Sequence, residues 1–449
     1  MEIVKVKKTR DLTILFLMFM FVIPSLAMFS SNNTFEPSLT KTYLQSYDHH
    51  DQIWIQSDAE FHAQAAAESW EGDGSAGDPY VITGYLFDCE SQPLRIWDTR
   101  VHWIFTDNVI DGVGVNIQCG TWIENVTNGA IIDNQVFNRH SGLAIANVAD
   151  FEIVNNYVHD CFGNGIELFG PMNDTIIIEN IVENIGGAGI YSVTSFDCAI
   201  KDNVLTNIGG IGIALLGLSP NCNISGNEIT NTASSGMMIS NADNSYIVGN
   251  TISQAIDQGI YLNSPDYCTL SNNIVGNIDG DGIRLASADW CDVQENLIED
   301  CTEDGFLLSS GENTTVQWNT VANTTEYTLH LESATESFSV KYNTFTNTDS
   351  TSHVCDDGEF NVISHNFYDD WTTPDTDANG FVDTPYIFAG TSGNQDEFPL
   401  AVAGVVPTTT ITTSTTQTSA APLPMELILL AGAVGAIVII AGLLLIKRR

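Results

Sequence analysis

What this sequence has least of is positive charge. Of 449 residues, 14 are Lys or Arg against 56 Asp or Glu, for a formal net charge of −42. Half of the basic residues sit at the two ends: Lys5, Lys7, Lys8 and Arg10 at one, Lys447, Arg448 and Arg449 at the other. The stretch between is strongly acidic, which repels nucleic acid and acidic lipid and excludes a nucleic-acid partner. Such a surface suits cations, neutral glycans or a salty medium, and plain solubility is its simplest use. The nine cysteines include no Cys-x-x-Cys pair, which argues against zinc or dithiol redox chemistry.

The two ends carry the long apolar runs. Residues 1–30 have the form of a secretory signal peptide: a basic start, an apolar run from Leu12 to Ala27, and Ser25-Leu26-Ala27 ahead of a cut. A retained anchor is the alternative. Leu427 to Ile446 is 20 residues without a charge, long enough to cross a bilayer. Residues 425–446 are therefore expected to form one transmembrane helix, with the basic tail 447–449 in the cytoplasm. Residues 405–424 are rich in Thr, Ser and Pro and lack the apolar residues a core needs, so they are expected to form an extended stalk. The expected location is the cell membrane, single-pass, with the bulk outside. Sequons at Asn125, Asn173, Asn223 and Asn313 fit an exported chain.

The body is a repeat. One Asn recurs as Asn108, Asn134, Asn156, Asn180, Asn203, Asn227, Asn250, Asn273, Asn296, Asn319, Asn343 and Asn366, settling to a period of 23 or 24 residues. A Gly recurs with it, from 114 and 142 to 282 and 305. Apolar residues stand three before the Asn, two after it, and one and three after the Gly. The last pair, such as Ile260 and Leu262, has the period of a strand. No unit holds a run long enough for a helix, and the leucine-rich-repeat frame is missing, so stacked β-coils are the better solution. The apolar residues flanking the Asn are five apart, so both can face inward only if the chain bends there. The expected bend is at the Asn itself, which tolerates left-handed backbone. The amides from Asn134 to Asn343 are expected to join in a structural ladder along the stack. A second polar column four residues on (Asn138, Asn184, Asn207, Asn231, Asn277, Asn323, Asn347) predicts another bend. Cys198, Cys222, Cys268 and Cys291 each lie five before the Asn. A column of buried thiols is the simpler reading, and disulfides between neighbouring coils are the alternative.

The expected fold is thus all-β, a right-handed parallel β-helix of about twelve coils over 101–367. An N-terminal flank and helical cap occupy 31–100, with a capping box at Ser57 and Glu60 opening a helix at about 58–68. A C-terminal cap occupies 368–404. The segments GDGSAGDPYVI (72–82) and NFYDDWTTPDTDANGFVDTPYIF (366–388), with the coils between, resemble the NosD-like, carbohydrate-binding-and-hydrolysis type of β-helix found in archaeal surface proteins. Val382 stands where that pattern usually has Gly. The resemblance covers about 53–400 and implies the pectate-lyase-like fold strongly and function weakly, because the fold hosts enzymes, adhesins and inert spacers alike.

Three sets of residues are candidates for chemistry. Asp375, Asp377, Asn379 and Asp383 have the spacing of a calcium loop, with Gly380 at its turn. Position 12 is Tyr386 rather than Glu, and Asp396 or Glu397 could replace it. An Asx-rich turn is the alternative. Second, Asp257, Asp279, Asp281, Glu303 and Asp304 precede the Gly-strand on neighbouring coils. With Arg284 they could form the acid–base set of a glycoside hydrolase or lyase, the catalytic candidates being Asp257, Asp281, Asp304 and Arg284. Tyr191, Tyr261, Glu167 and His330 share the outward column of that strand and are candidates for glycan binding. The plainer alternative is a solvated turn. The motif series of a polygalacturonase and the basic cluster of a pectate lyase are both missing. Third, the NosD resemblance brings in copper maturation, but Met237-Met238 and His49-His50 stand isolated and no His-x-x-Met cluster occurs. The sequence favours a surface protein that binds extracellular glycans or surface proteins without catalysis. A polysaccharide-modifying enzyme is the alternative, and then a structural spacer or copper-maturation factor.

Overall fold

A computed structural model describes residues 47–405, apart from 90 and 113–117. These lie in the first of two compact units, 1–407 and 408–449. The proposed signal peptide, transmembrane segment and cytoplasmic tail, and all but the first residue of the stalk, lie outside the described residues. Among the described residues no helix is long and apolar enough to cross a membrane.

The chain winds as a right-handed parallel β-solenoid of about twelve turns, with three parallel sheets of 13, 14 and 13 strands. In the coil around Asn250 the strands are Tyr246–Val248, Thr251–Ala255 and Ile260–Asn263, which belong to the first, second and third sheets respectively. Each strand pairs with the equivalent strand one repeat away, so Ile247 meets Ile224, Ile252 meets Ile229 and Ile260 meets Met237. The apolar columns read from the repeat therefore fuse into one core. No single coil could bury them alone, which is why the stack is needed. Stacking starts ahead of residue 101: the strands Ile53–Ile55 and Tyr80–Thr83 already pair with Leu94–Thr99 and Trp103–Thr106.

The recurrent Asn residues line up inside the stack. Asn134, Asn156, Asn180, Asn203, Asn227, Asn250, Asn273, Asn296, Asn319 and Asn343 are each at most 2% exposed. The N–H of each donates to Oδ1 of the next at 2.9 to 3.2 Å: Asn134 to Asn156, Asn156 to Asn180, Asn180 to Asn203, and so on to Asn296, Asn319 and Asn343. Each amide Nδ2 donates to the next Oδ1 and to a carbonyl of the preceding coil, as Asn250 shows.

The bend expected at these Asn residues is instead one residue earlier. Left-handed backbone falls on Asp133 (φ 58) before Asn134, Asn155 (φ 53) before Asn156, Glu179 (φ 58) before Asn180 and Asp202 (φ 53) before Asn203. Glu295 (φ 56), Trp318 (φ 60) and Tyr342 (φ 59) do the same before Asn296, Asn319 and Asn343. Turning the chain there leaves the Asn side chain aimed inward, where stacking requires it. The second polar column does carry its own bend, as at Asn184 (φ 54), Asn207 (φ 57) and Asn231 (φ 59). Those side chains form an outer, exposed amide ladder. The recurrent Gly answers to crowding: a Cβ on Gly259 would lie 2.3 Å from Val275 and 2.6 Å from the Gly282 carbonyl oxygen.

The helix Asp58–Glu68 begins as its capping box predicts, with Ser57 Oγ accepting from the Glu60 N–H and the Glu60 carboxylate accepting from Gln56. It buries Phe61 against Tyr80 (5.7 Å between centroids, 9°) and Trp103. At the other end the chain leaves the coil pattern after Tyr368. Tyr386 stacks on Tyr368 (4.0 Å, 4°), and Tyr386–Ile387 pairs antiparallel with Gln395–Asp396. Asp396 is fully buried. It accepts from the N–H groups of His365 and Asn366, both at 3.0 Å, and so occupies the place a further ladder Asn would take. All nine cysteines are free thiols, and the column Cys198, Cys222, Cys268, Cys291 is buried.

Candidate functional site

The third sheet places one outward residue per coil in a straight column. Glu167 pairs with Tyr191, Tyr191 with Ala214, Ala214 with Met238, and Met238 with Tyr261. Tyr261 then pairs with Arg284, Arg284 with Leu307, Leu307 with His330, and His330 with Cys355. The column is as the repeat predicts, but it divides into two groups. Glu167 and Tyr191 lie side by side, five and four coils from Arg284. Glu167 accepts from Ser141 (2.6 Å) and Asn164 (2.8 Å), and burial followed by the Glu167 charge raises the Tyr191 phenol pKa. The ladder residues from Asn134 to Asn343 are buried behind these sheets and take no part in the outer face.

The second group gathers Tyr261, Arg284, Asp281, Asp304 and His330. The Arg284 guanidinium lies 5.5 Å from the Tyr261 ring centroid, a cation–π contact. Asp281 and Asp304 are 2% and 3% exposed and occupy equivalent positions one coil apart, just before the Gly. Burial, then the Asp304 charge, pushes the Asp281 carboxyl up to about 6. Asp304 holds His330 Nδ1 at 2.9 Å, and this contact raises the imidazole pKa against the opposing effect of burial. Each carboxylate also ties coils together: Asp281 Oδ1 accepts from Asp304 N (3.3 Å), and Asp304 Oδ1 accepts from Tyr327 N (2.8 Å). Asp304 thus has both oxygens engaged, which suits a positioning and binding role better than a nucleophile. Asp257 stands apart. It is exposed, one position out of that column, and bonds Ser234 and Gln258. Asp279 and Glu303 are exposed at the same turn.

In the 375–383 loop, Asp375, Asp377 and Asp383 each bring a carboxylate oxygen within 4.8 Å of the others. Asn379 turns its side-chain oxygen to the Phe381 N–H (2.8 Å), while its own N–H donates to Asp375 and Asp377. The donor set is therefore three carboxylates, whose mutual repulsion a hard cation would relieve. Of the two suggested substitutes for position 12, Asp396 is committed to the ladder end, and Glu397, which accepts from Gln395, is not among the clustered carboxylates. Two further clusters escaped sequence reading. His330, Cys355 and Asp357 converge within 4.8 Å, as do His353, Asp369 and Asp370. His330 and Cys355 are neighbours across one unusually long coil, which counting by the regular period misplaces.

The profile of the family described as periplasmic copper-binding protein (NosD) matches residues 106–265, and that of the right-handed beta helix region matches 235–371. No curated protein sequence matches the chain significantly. Among solved structures, the A-module of mannuronan C-5 epimerase AlgE6 of Azotobacter vinelandii is similar at 14% identity and TM-score 0.56, covering 69% of this chain and 94% of that one. The periplasmic alginate epimerase AlgG aligns at 12% identity and TM-score 0.39 over 71% and 85%. The Dettilon tailspike protein aligns at 12% and 0.44 over 69% and 64%. Likeness at such identities concerns the fold alone.

Proposed function

We propose that this chain, a right-handed β-helix whose coils match the NosD family over residues 106–265, is a cell-surface protein that binds carbohydrate on its outer faces without turning it over. The observation that carries the reading is the group on the third sheet. Tyr261, Arg284 and His330 offer a ring and hydrogen-bond donors on an open, regular face beside the Asp281–Asp304 pair. Open sheet faces with a few convergent polar groups suit an extended glycan better than a small molecule. The membrane segment 425–446, the stalk and the signal peptide belong to this proposal, as does calcium held by Asp375, Asp377 and Asp383 to brace the C-terminal end.

The test is a glycan screen with the purified protein. Retention of at least one polysaccharide is expected, weakened by Tyr261→Ala. No retained glycan would count against the reading and in favour of a structural spacer. The specific observation favouring an enzyme is the raised Asp281 carboxyl one coil from the Asp304–His330 pair. If the parent cleaves or epimerises a retained glycan and Asp281→Ala and Asp304→Ala abolish that, the non-catalytic reading falls.

A further inference from the structure

From residue 128 onward every coil takes left-handed backbone at both corners that bound the first sheet. In the earlier coils these corners carry residues such as Asn221 (φ 57) and Asn244 (φ 55) on one side, and Gly226 and Gly249 on the other. From residue 267 onward aromatic residues enter. Tyr267 (φ 55) and Trp290 (φ 57) occupy one corner, and Trp318 (φ 60), Tyr342 (φ 59) and His365 (φ 61) the other. A bulky L-residue held in that backbone is strained. Burial does not offset the strain, since Tyr267 is 60%, Trp290 52% and Trp318 41% exposed.

The rings are nonetheless ordered. Tyr267 stacks on Trp290 (6.4 Å, 12°) and Trp318 on Tyr342 (4.7 Å, 21°), and His365 extends the second line. Between the corners, strands Asp292–Gln294 and Thr315–Gln317 bury their middle valines and turn Asp292, Gln294, Thr315 and Gln317 outward. The corners lie roughly 16 Å apart, five residues of extended chain. A flat polar floor between a line of exposed rings and a line of partly exposed ones matches the chemistry of sugar: ring C–H faces settle on aromatic faces while hydroxyls bond to amides and hydroxyls of the floor. On the floor and its edge the acidic Asp292 and Glu295 outnumber the one cation, Lys341 beside Tyr342, a balance that disfavours uronic acids.

We propose that the first sheet, from Tyr267 to His365, is a second binding face, and that it takes a neutral polysaccharide lying obliquely from the Tyr267–Trp290 pair to the Trp318–Tyr342 pair. This deepens, and rests on, the carbohydrate-binding reading above, but it uses a different sheet from Tyr261 and Arg284.

The test replaces Trp290 and Trp318 by Asn, the residue this fold itself places at such corners. Full-length parent, Trp290→Asn, Trp318→Asn and the double variant are titrated with soluble glucans, mannans and galactans, following affinity and intrinsic tryptophan fluorescence, with Tyr261→Ala in parallel. Each single change is expected to weaken binding about tenfold, as loss of an aromatic anchor does. The ligand-induced fluorescence change should vanish in the double variant, while the denaturation midpoint holds or rises. If glycan binding is lost in Tyr261→Ala yet unchanged in the Trp variants, the second face is refuted and the carbohydrate reading stands. A lowered midpoint with unchanged affinity would make the rings structural and also refute it. Binding of none of these polysaccharides refutes the second face, and only failure on the full glycan screen refutes the wider reading.

Discussion

Asp281 is a buried carboxyl with a charged neighbour, and its energetics are open to direct test. Burial raises its pKa to about 6, so the folded protein holds that proton more tightly than the unfolded chain does. As pH rises from about 4 to about 6 the unfolded state ionises first, and stability falls. Asp281→Asn should remove this slope, because Asn keeps an oxygen for the Asp304 N–H and carries no charge. By pH 7 the variant should be more stable than the parent, by up to about 3 kcal/mol before solvent screening. Urea titrations of parent and variant at pH 4 and pH 7 measure the difference. Equal stability of the two at both pH values would show that the carboxyl titrates normally.

At the scale of the repeating element, the inner and outer Asn columns look alike in sequence and differ in cost. Asn250→Ala strips acceptors from the buried N–H and amide of Asn227, at about 3 kcal/mol. Asn231→Ala loses an exposed amide contact and the tolerance for φ 59, at about 1 kcal/mol. Denaturation midpoints should rank the parent above Asn231→Ala and Asn231→Ala above Asn250→Ala, and a reversed order would show that the outer ladder contributes more. The period, the apolar columns, the Gly column and the Asn ladder were legible in the sequence because each reports one position repeated down a stack. What was not legible breaks that repetition. The bend falls on the residue before the Asn, where side-chain identity varies from Glu179 ahead of Asn180 to Tyr342 ahead of Asn343. Asp396 completes the ladder from 30 residues beyond Asn366, outside any period. The aromatic corners look like scattered rings until the coils are stacked, and Asp257 looks like a partner of Asp281 until register sets it one position out.

At the scale of the whole molecule, the acidic excess makes cations a lever on stability. The three carboxylates of the 375–383 loop bring like charges together on the segment that follows the last coil. Calcium should raise the melting temperature by a few degrees, and Asp375→Ala combined with Asp377→Ala should abolish the response. A parent whose melting is indifferent to calcium would exclude the site. Asp396 bears on a different hazard. The Asn-to-Asn hydrogen bonds of the inner ladder run one way, each Asn giving its N–H toward the C-terminal end. A carboxylate only accepts, so at Asp396 that direction stops: the last donors are met and no new ones are offered. Stacked coils are half of a fibril already, lacking only another molecule to continue them. Asp396 is itself buried, and beside it the Leu400 N–H donates to the Asn366 carbonyl, so the last ladder donors end inside the protein rather than on an edge open to another copy.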